Sequence, residues 1–429
     1  MKKPFYGWII VGVIFLIGAT ESSVFQAILA IFMKPMVSEF GWSRAAVTGS
    51  IAVGSLCAGI LSPFVGPILD RYGPRMMAFV GILVLSLGLI GMTFVNRIWQ
   101  LYLFFGTGRM IAVGVLMLVI SVSISNWFVR KRGRAMGIVW LGSRFGSALL
   151  PLLLQYFILV LGWRLAWSTM GVTVFLLSGI PALVFLRRRP EDMGLLPDGE
   201  VASPSGAERA EGPDKSGRPA FGHGLETSFT RRQAIRTSAF WLLVSVHSLI
   251  MFVQSGINFH LYPFLTDQGI SPMTAVMVLT VLNVSGAFGS VGWGMFSEKI
   301  RLQNLLAVNV AVNGLVFLAL YRFVLLNRAD SWETVILFSL VALHGIVLGG
   351  RPPLLNVMWG DFFGRRSLGS IMSVSTPFGL TANAIGPVFA AFVFDIYGSY
   401  TFPFYSFVAC FGLTSGLCLF MKAPSKPAA

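Results

Sequence analysis

Long apolar runs, each about the length needed to cross a bilayer, alternate along this chain with short turns that collect Arg, Lys, Asp and Gly. Twelve runs follow from that alternation, with approximate boundaries 7–33, 43–69, 75–95, 99–127, 134–161, 165–186, 238–265, 272–297, 302–325, 333–361, 368–394 and 401–421. Between the sixth and seventh, residues 187–237 are rich in Arg, Pro, Gly, Ser and Glu and hold no sustained apolar periodicity. That composition predicts a mostly flexible linker with a short amphipathic piece near Arg231–Ile235. The expected fold is an all-α membrane protein: a six-helix bundle over 1–186, a cytoplasmic linker over 187–237, and a second six-helix bundle with a short tail over 238–429. The opening run, from about Trp8 to Met33, is too long for the apolar part of a signal peptide and reads as the first span.

Composition supports this reading. The chain is 55% hydrophobic and 11% charged, which excludes an ordinary soluble domain. A net charge of +15 would point to nucleic acid in a soluble protein, but here the basic residues sort by loop. One set holds Lys2, Lys3, Arg71, Arg75, the Arg130–Arg134 cluster, the linker, Lys299, Arg301, Arg365, Arg366, Lys422 and Lys426. The other holds only Lys34, Arg44, Arg97, Arg164, Arg322 and Arg328. This asymmetry predicts both termini on the cytoplasmic side, with the lipid bilayer and not nucleic acid as the large partner. A bacterial cytoplasmic (inner) membrane and a monomer are the expectations. Cys57, Cys410 and Cys418 lie inside apolar runs, too far apart for a metal or redox motif, and read as packing residues. No metal or cofactor is called for. Phosphate-binding loops, His-Glu-x-x-His and paired carboxylates within one span are all missing from the sequence, so an enzyme is not expected.

Charges inside the runs carry the candidate chemistry. Arg109, Arg144 and Arg351 fall within the fourth, fifth and tenth runs, where a charge costs about 2.5–3.5 kcal/mol even on insertion scales. Glu21, in the first run with Gln26 beyond it, is the clear deep carboxylate. Three cations against one carboxylate favour an anionic ligand. His344 and Arg351 are seven residues apart and share a helix face, as do His247, Gln254 and Asn258 in the seventh run. Arg351 has two readings, a ligand group or a clamp on the carbonyls that Pro352 and Pro353 leave without amide donors. His260 reads either as a gating or proton-sensing group or as a satisfied interior histidine. Ser50, Gly54, Ala58 and Ser62 form a small-residue stripe suited to close helix packing, and Gly286, Gly289, Gly292 and Gly294 invite the same reading. Asn309 and Asn313 suit hydrogen bonds between helices.

The turn Gly66-Pro-Ile-Leu-Asp70-Arg71-Tyr-Gly73-Pro-Arg75 resembles the loop between helices 2 and 3 of the major facilitator superfamily, and Gly294-Met-Phe-Ser-Glu298-Lys299 is its shorter echo. Tyr6-Gly7-Trp8, Trp127 to Gly137, Arg189-Pro-Glu-Asp-Met-Gly-Leu-Leu-Pro-Asp198 and Phe363 to Gly369 resemble segments of its monocarboxylate porter and oxalate–formate antiporter group. The resemblance implies two six-helix bundles working by alternating access, with helices 1, 4, 7 and 10 along the path. One departure stands out. Monocarboxylate porters usually carry an arginine in helix 8, often with an aspartate one turn earlier; here the pair is absent, with Gly286 and Ser290 near those positions.

These readings together predict a secondary transporter of a small organic anion, a mono- or dicarboxylate, coupled to protons or to anion exchange. The alternative is a carboxylate sensor that moves nothing. Substrate contacts are expected from Arg109, Arg351, Arg144, His344, Gln254, Asn258, Glu21 and Gln26. Gating is expected from Asp70, Arg71, Arg75, Arg130, Glu298 and His260, with Asp70 latched against the Arg130–Arg134 turn. Counted back from the turns at Phe128 and Phe362, Arg109 and Arg351 lie 19 and 11 residues deep, a difference of about 12 Å that allows them to act in sequence. The linker reading has its own test: deleting Ser203–Gly212 should leave expression and transport largely unchanged, and loss of folded protein would reveal an ordered domain there.

Overall fold

The computed structural model describes residues 5–199, 228–326 and 331–424. Lys2, Lys3, Arg328, Lys426 and the proposed deletion lie outside the described residues, as do the side chains of Gln26, Lys34 and Arg44. The described residues form helices and no strand. Eleven stretches are long and apolar enough to cross a membrane. One of them, Arg132–Phe185, runs for 54 residues and breaks at Gly162 (φ +80°, ψ 160°), so it covers both the fifth and the sixth runs. Only glycine takes that backbone conformation without strain.

The chain divides into two compact units. The first is Met1–Ser203 with Arg365–Pro377, and the second is Pro204–Gly364 with Phe378–Ala429.

In the first unit, α1 (Gly7–Glu21) leads through a short 3-10 turn into α2 (Gln26–Phe40), followed by α3 (Arg44–Tyr72) and α4 (Pro74–Gly91). Next come α5 (Ile98–Ile111), a π-helical segment (Ala112–Leu116), α6 (Met117–Trp127), α7 (Arg132–Val174) and α8 (Ile180–Phe185). Helix α3 is patterned inside out relative to a soluble helix. Leu56, Ile60, Phe64 and Ile68 are exposed, while Ser50, Ala58 and Ser62 are fully buried. Large apolar groups gain nothing by leaving lipid, so the small residues form the packed seam. Gly106 packs on Ser50 and Gly114 on Ala58, where an added β-carbon would lie 3.2 Å from the Ala58 backbone. Cys57 is exposed beside Leu56, so it is not the packing residue the sequence predicts. Helices α1 and α7 meet in the same way, with Gly142 and Gly146 set against the carbonyls of Phe15 and Ala19.

Residues 187–199 belong to this unit and are not part of a free tether. Asp198, at φ +60°, accepts hydrogen bonds from the backbone amides of Val129 (3.0 Å), Arg130 (2.8 Å) and Lys131 (3.0 Å). Buried Arg132 closes the end of α6 by donating to the carbonyls of Phe128 and Ser125. An acid set on an amide nest is strong enough to order the start of an otherwise polar segment.

The second unit contains α9 (Arg231–Ile235), α10 (Ser238–Asp267), α11 (Pro272–Phe296), α12 (Leu302–Leu326), α13 (Ser331–Gly349) and α14 (Arg351–Phe363). Most of α15 (Leu368–Tyr397) and all of α16 (Thr401–Phe420) complete it. α9 carries the predicted amphipathic piece, started by a reciprocal Thr230–Gln233 cap. Helices α11 and α13 touch backbone to backbone: a β-carbon at Gly349 would overlap the carbonyl oxygen of Gly286, and one at Gly289 that of Ile346. Gly349→Val should therefore lower the melting temperature and folded yield in detergent, a cost of about 1–3 kcal/mol or more. Gly292→Ala, with nothing within 4 Å of the added carbon, should be neutral or slightly stabilising. Equal melting temperatures for the two variants would refute the close-packed seam.

Candidate functional site

In the first unit the predicted residues gather where the first span is interrupted. Ser22 and Ser23, which compete for backbone hydrogen bonds, stand in a 3-10 turn, and Phe25 is extended (φ −82°, ψ 160°) before α2 begins. Glu21 is the last residue of α1 and is 1% exposed, with both carboxylate oxygens buried and the Ser143 hydroxyl as a polar neighbour. Arg109 is the charge that faces it. The Arg109 guanidinium lies 5.1 Å from the Phe25 ring centre and donates from Nε to Ser55 Oγ at 3.2 Å. Gly54 makes room for the stem of Arg109, since a β-carbon there would come within 2.7 Å of it. The π-helical segment follows three residues later, a local widening often found where helices carry function. Arg144 is half-buried next to Ser143, whose carbonyl accepts from Ser22. The break, Phe25 and Ser55 escaped sequence reasoning. The Glu-Ser-Ser run was the available signal for the break.

The second unit gathers around a break in the tenth span. Pro352 and Pro353 have no amide hydrogen to offer the preceding turn, and the helix divides at Gly350 into α13 and α14. Arg351 opens α14 and is 1% exposed. It does not clamp the freed carbonyls as the sequence allowed. Its Nη2 donates to Asn313 Oδ1 on α12, its Cζ lies 4.8 Å from the Phe411 ring centre, and Nε and Nη1 have no hydrogen-bond partner. His344, also 1% exposed, sits 3.2 Å through Nδ1 from Asn313 Nδ2 and leaves Nε2 open. Asn309 donates at 2.8 Å to the Val347 carbonyl, which also accepts from the Gly350 amide beside the break. On α10, His247 Nδ1 and Gln254 Oε1 are buried without partners, while Asn258 is exposed. The sequence reads Asn313 as a group for hydrogen bonds between helices. Its place between Arg351 and His344 makes it part of the site.

The residues named for gating fall differently from the expected latch. Asp70 meets the start of α15: it accepts from Gly369 N (3.1 Å), Ser370 N (2.8 Å) and Ser370 Oγ (2.5 Å). Arg188 Nη2 caps the Asp70 carbonyl at 2.5 Å. The carboxylate on the Arg130–Lys131 turn is that of Asp198 instead, because a turn of three free amides is best met by an acid placed over it. Exposed Arg71 lies over Tyr72, and Arg75 donates to the Leu183 carbonyl at 2.7 Å. Arg130 is exposed and Glu298 is half-buried just beyond α11. His260 has both ring nitrogens engaged, Nε2 at 2.9 Å from the Pro387 carbonyl and Nδ1 at 3.3 Å from the Tyr400 hydroxyl. That is the satisfied interior arrangement.

Comparison with known proteins agrees with this architecture. The sequence profile described as Major Facilitator Superfamily matches residues 10–341. Monocarboxylate transporter 11 of Mus musculus is 24% identical over 428 residues, 98% of this chain and 88% of its own. The Fujikurins efflux protein of Gibberella fujikuroi is 26% identical over 264 residues, 61% of this chain and 50% of its own. Among solved structures, the proton:xylose symporter XylE superposes with a TM-score of 0.70 at 15% identity, covering 97% of this chain and 96% of that one.

Proposed function

Because the chain belongs to the Major Facilitator Superfamily, a family of transporters and not of enzymes, we propose that it carries a small mono- or dicarboxylate across the membrane by alternating access. The observation that carries this reading is Arg351, fully buried with two of its three guanidinium nitrogens unanswered by protein. Among the described residues no carboxylate pairs with it. A buried charge stripped of its partner costs about 3–5 kcal/mol, so the natural partner is an anion that comes and goes. The planar fork of the guanidinium suits a carboxylate. Relatives named monocarboxylate transporters support the same substrate class.

Arg109 is the corresponding cation of the first unit, and Glu21 beside it is the proton carrier. Arg144, His344, Gln254, Asn258 and Gln26 complete the proposed path. Both termini face the cytoplasm, following the basic loops, in what we take to be a bacterial inner membrane. The protein acts as a monomer in this reading.

Arg351→Lys should weaken carboxylate binding, and Arg351→Gln should nearly abolish it, with folded protein retained. A carboxylate panel (formate, lactate, oxalate, succinate) read by thermal shift and by uptake into proteoliposomes checks both. Normal transport by Arg351→Gln would remove the site, and binding without uptake by the unmodified protein would favour a sensor. Asp70 gates through its cap on α15, where a charge at a helix N-terminus contributes about 0.3–2 kcal/mol. Asp70→Asn should slow turnover while leaving binding nearly intact. An unchanged transport rate would dismiss the gate.

A further inference from the structure

We infer that Asn313 is the positioning residue that fixes the polarity of the carboxylate site, holding His344 in the tautomer whose open atom is a donor. The inference rests on the function proposed above and adds a second ligand group and the residue that sets it. The argument follows from which groups can donate. A guanidinium has hydrogens and no acceptor, so the atom of Asn313 facing Arg351 Nη2 must be its oxygen. The other atom of the amide is therefore the NH2, and it lies 3.2 Å from His344 Nδ1 and 3.3 Å from the His344 carbonyl. A nitrogen receiving that donor carries no hydrogen. Neutral His344 must then hold its proton on Nε2, the atom with no partner.

Every open atom along the chain Arg351–Asn313–His344 is thus a donor: Nε and Nη1 of Arg351 and Nε2 of His344. All three residues are buried, Asn313 completely. The Phe317 ring, 5.7 Å from the imidazole, and the Phe411 ring over Arg351 supply apolar walls that turn neither group. Such a set accepts a carboxylate and offers nothing to a donor-bearing neutral group. Asn309 Oδ1, one turn along α12, is an open acceptor that suits a hydroxyl on the same solute. An aspartate at 313 would have nearly the same shape and the opposite effect. It would neutralise Arg351 and draw a proton onto His344 Nδ1, turning Nε2 into an acceptor.

The test reads the tautomer directly. In full-length protein labelled with 15N-imidazole histidine, the His344 signal, identified by its loss in His344→Gln, should show Nδ1 unprotonated and Nε2 protonated at neutral pH. The panel carboxylate giving the largest thermal shift should move the Nε2 resonance. Asn313→Asp should reverse the tautomer and weaken that carboxylate about tenfold to a hundredfold, the range expected for a lost charged hydrogen bond. A wild-type His344 protonated at Nδ1 overturns the inference. So does an Asn313→Asp protein with the wild-type tautomer and an affinity within about twofold. Should Asn313→Asp fail to fold, the wild-type spectrum still decides. Arg351→Gln separates the two claims. If that variant binds normally, the parent site is wrong; if it loses binding while Asn313→Asp keeps it, only the role of Asn313 falls.

Discussion

In hydrocarbon, a backbone hydrogen bond that is broken has to be remade by protein, and this chain breaks two of its spans beside its buried arginines. The first break follows Glu21 and brings Phe25 over Arg109. The second falls at Gly350, where Asn309 takes up the Val347 carbonyl and Arg351 begins the next helix. Both interruptions are enclosed in packed helices, so the irregular backbone is kept from lipid. Beside the breaks, Ser55 and Asn313 on neighbouring helices hydrogen-bond the two buried arginines, and Asn309 adds a donor to the Val347 carbonyl.

Much of this was legible from sequence because the membrane makes the pattern coarse. A run of twenty apolar residues can hardly be anything but a crossing, so element count and type follow from hydropathy alone. The small-residue stripe of α3 was readable for the same reason: lipid offers no reward for burying Leu56 or Phe64, so Gly54 and Ala58 had to mark the seam. The breaks were not readable in this way. The runs containing Glu21-Ser22-Ser23 and Gly349-Gly350-Arg351 stay apolar on average, and hydropathy averages over the few residues at which a helix stops.

Polar partners were legible as types but not as pairs. Spacing put His344 and Arg351 on one face, which holds, yet spacing cannot say that an amide from α12 stands between them. Asp70 shows the same limit. A carboxylate beside arginines invites an ion pair, but the structure spends it on the amides of α15 and leaves the Arg130–Lys131 turn to Asp198, well over a hundred residues later in the chain than Asp70. Backbone amides carry no mark in a sequence, so partners of this kind stay hidden until the fold assembles them.

The glycines of α11 bear on where the proposed anion site lies. Monocarboxylate porters, as the sequence resemblance has it, carry their cation in helix 8. Here the equivalent stretch is committed to contact, with the Gly286 carbonyl set against Gly349 and the Ile346 carbonyl against Gly289. Neither Gly286 nor Ser290 can supply that cation. Arg351, the cation proposed to hold the anion, stands two residues beyond Gly349, just past that contact. The close packing fixes the depth of the charge, and the proline pair that follows frees the backbone just where the guanidinium leaves it. The place of the proposed anion ligand is therefore tied to close packing between neighbouring helices.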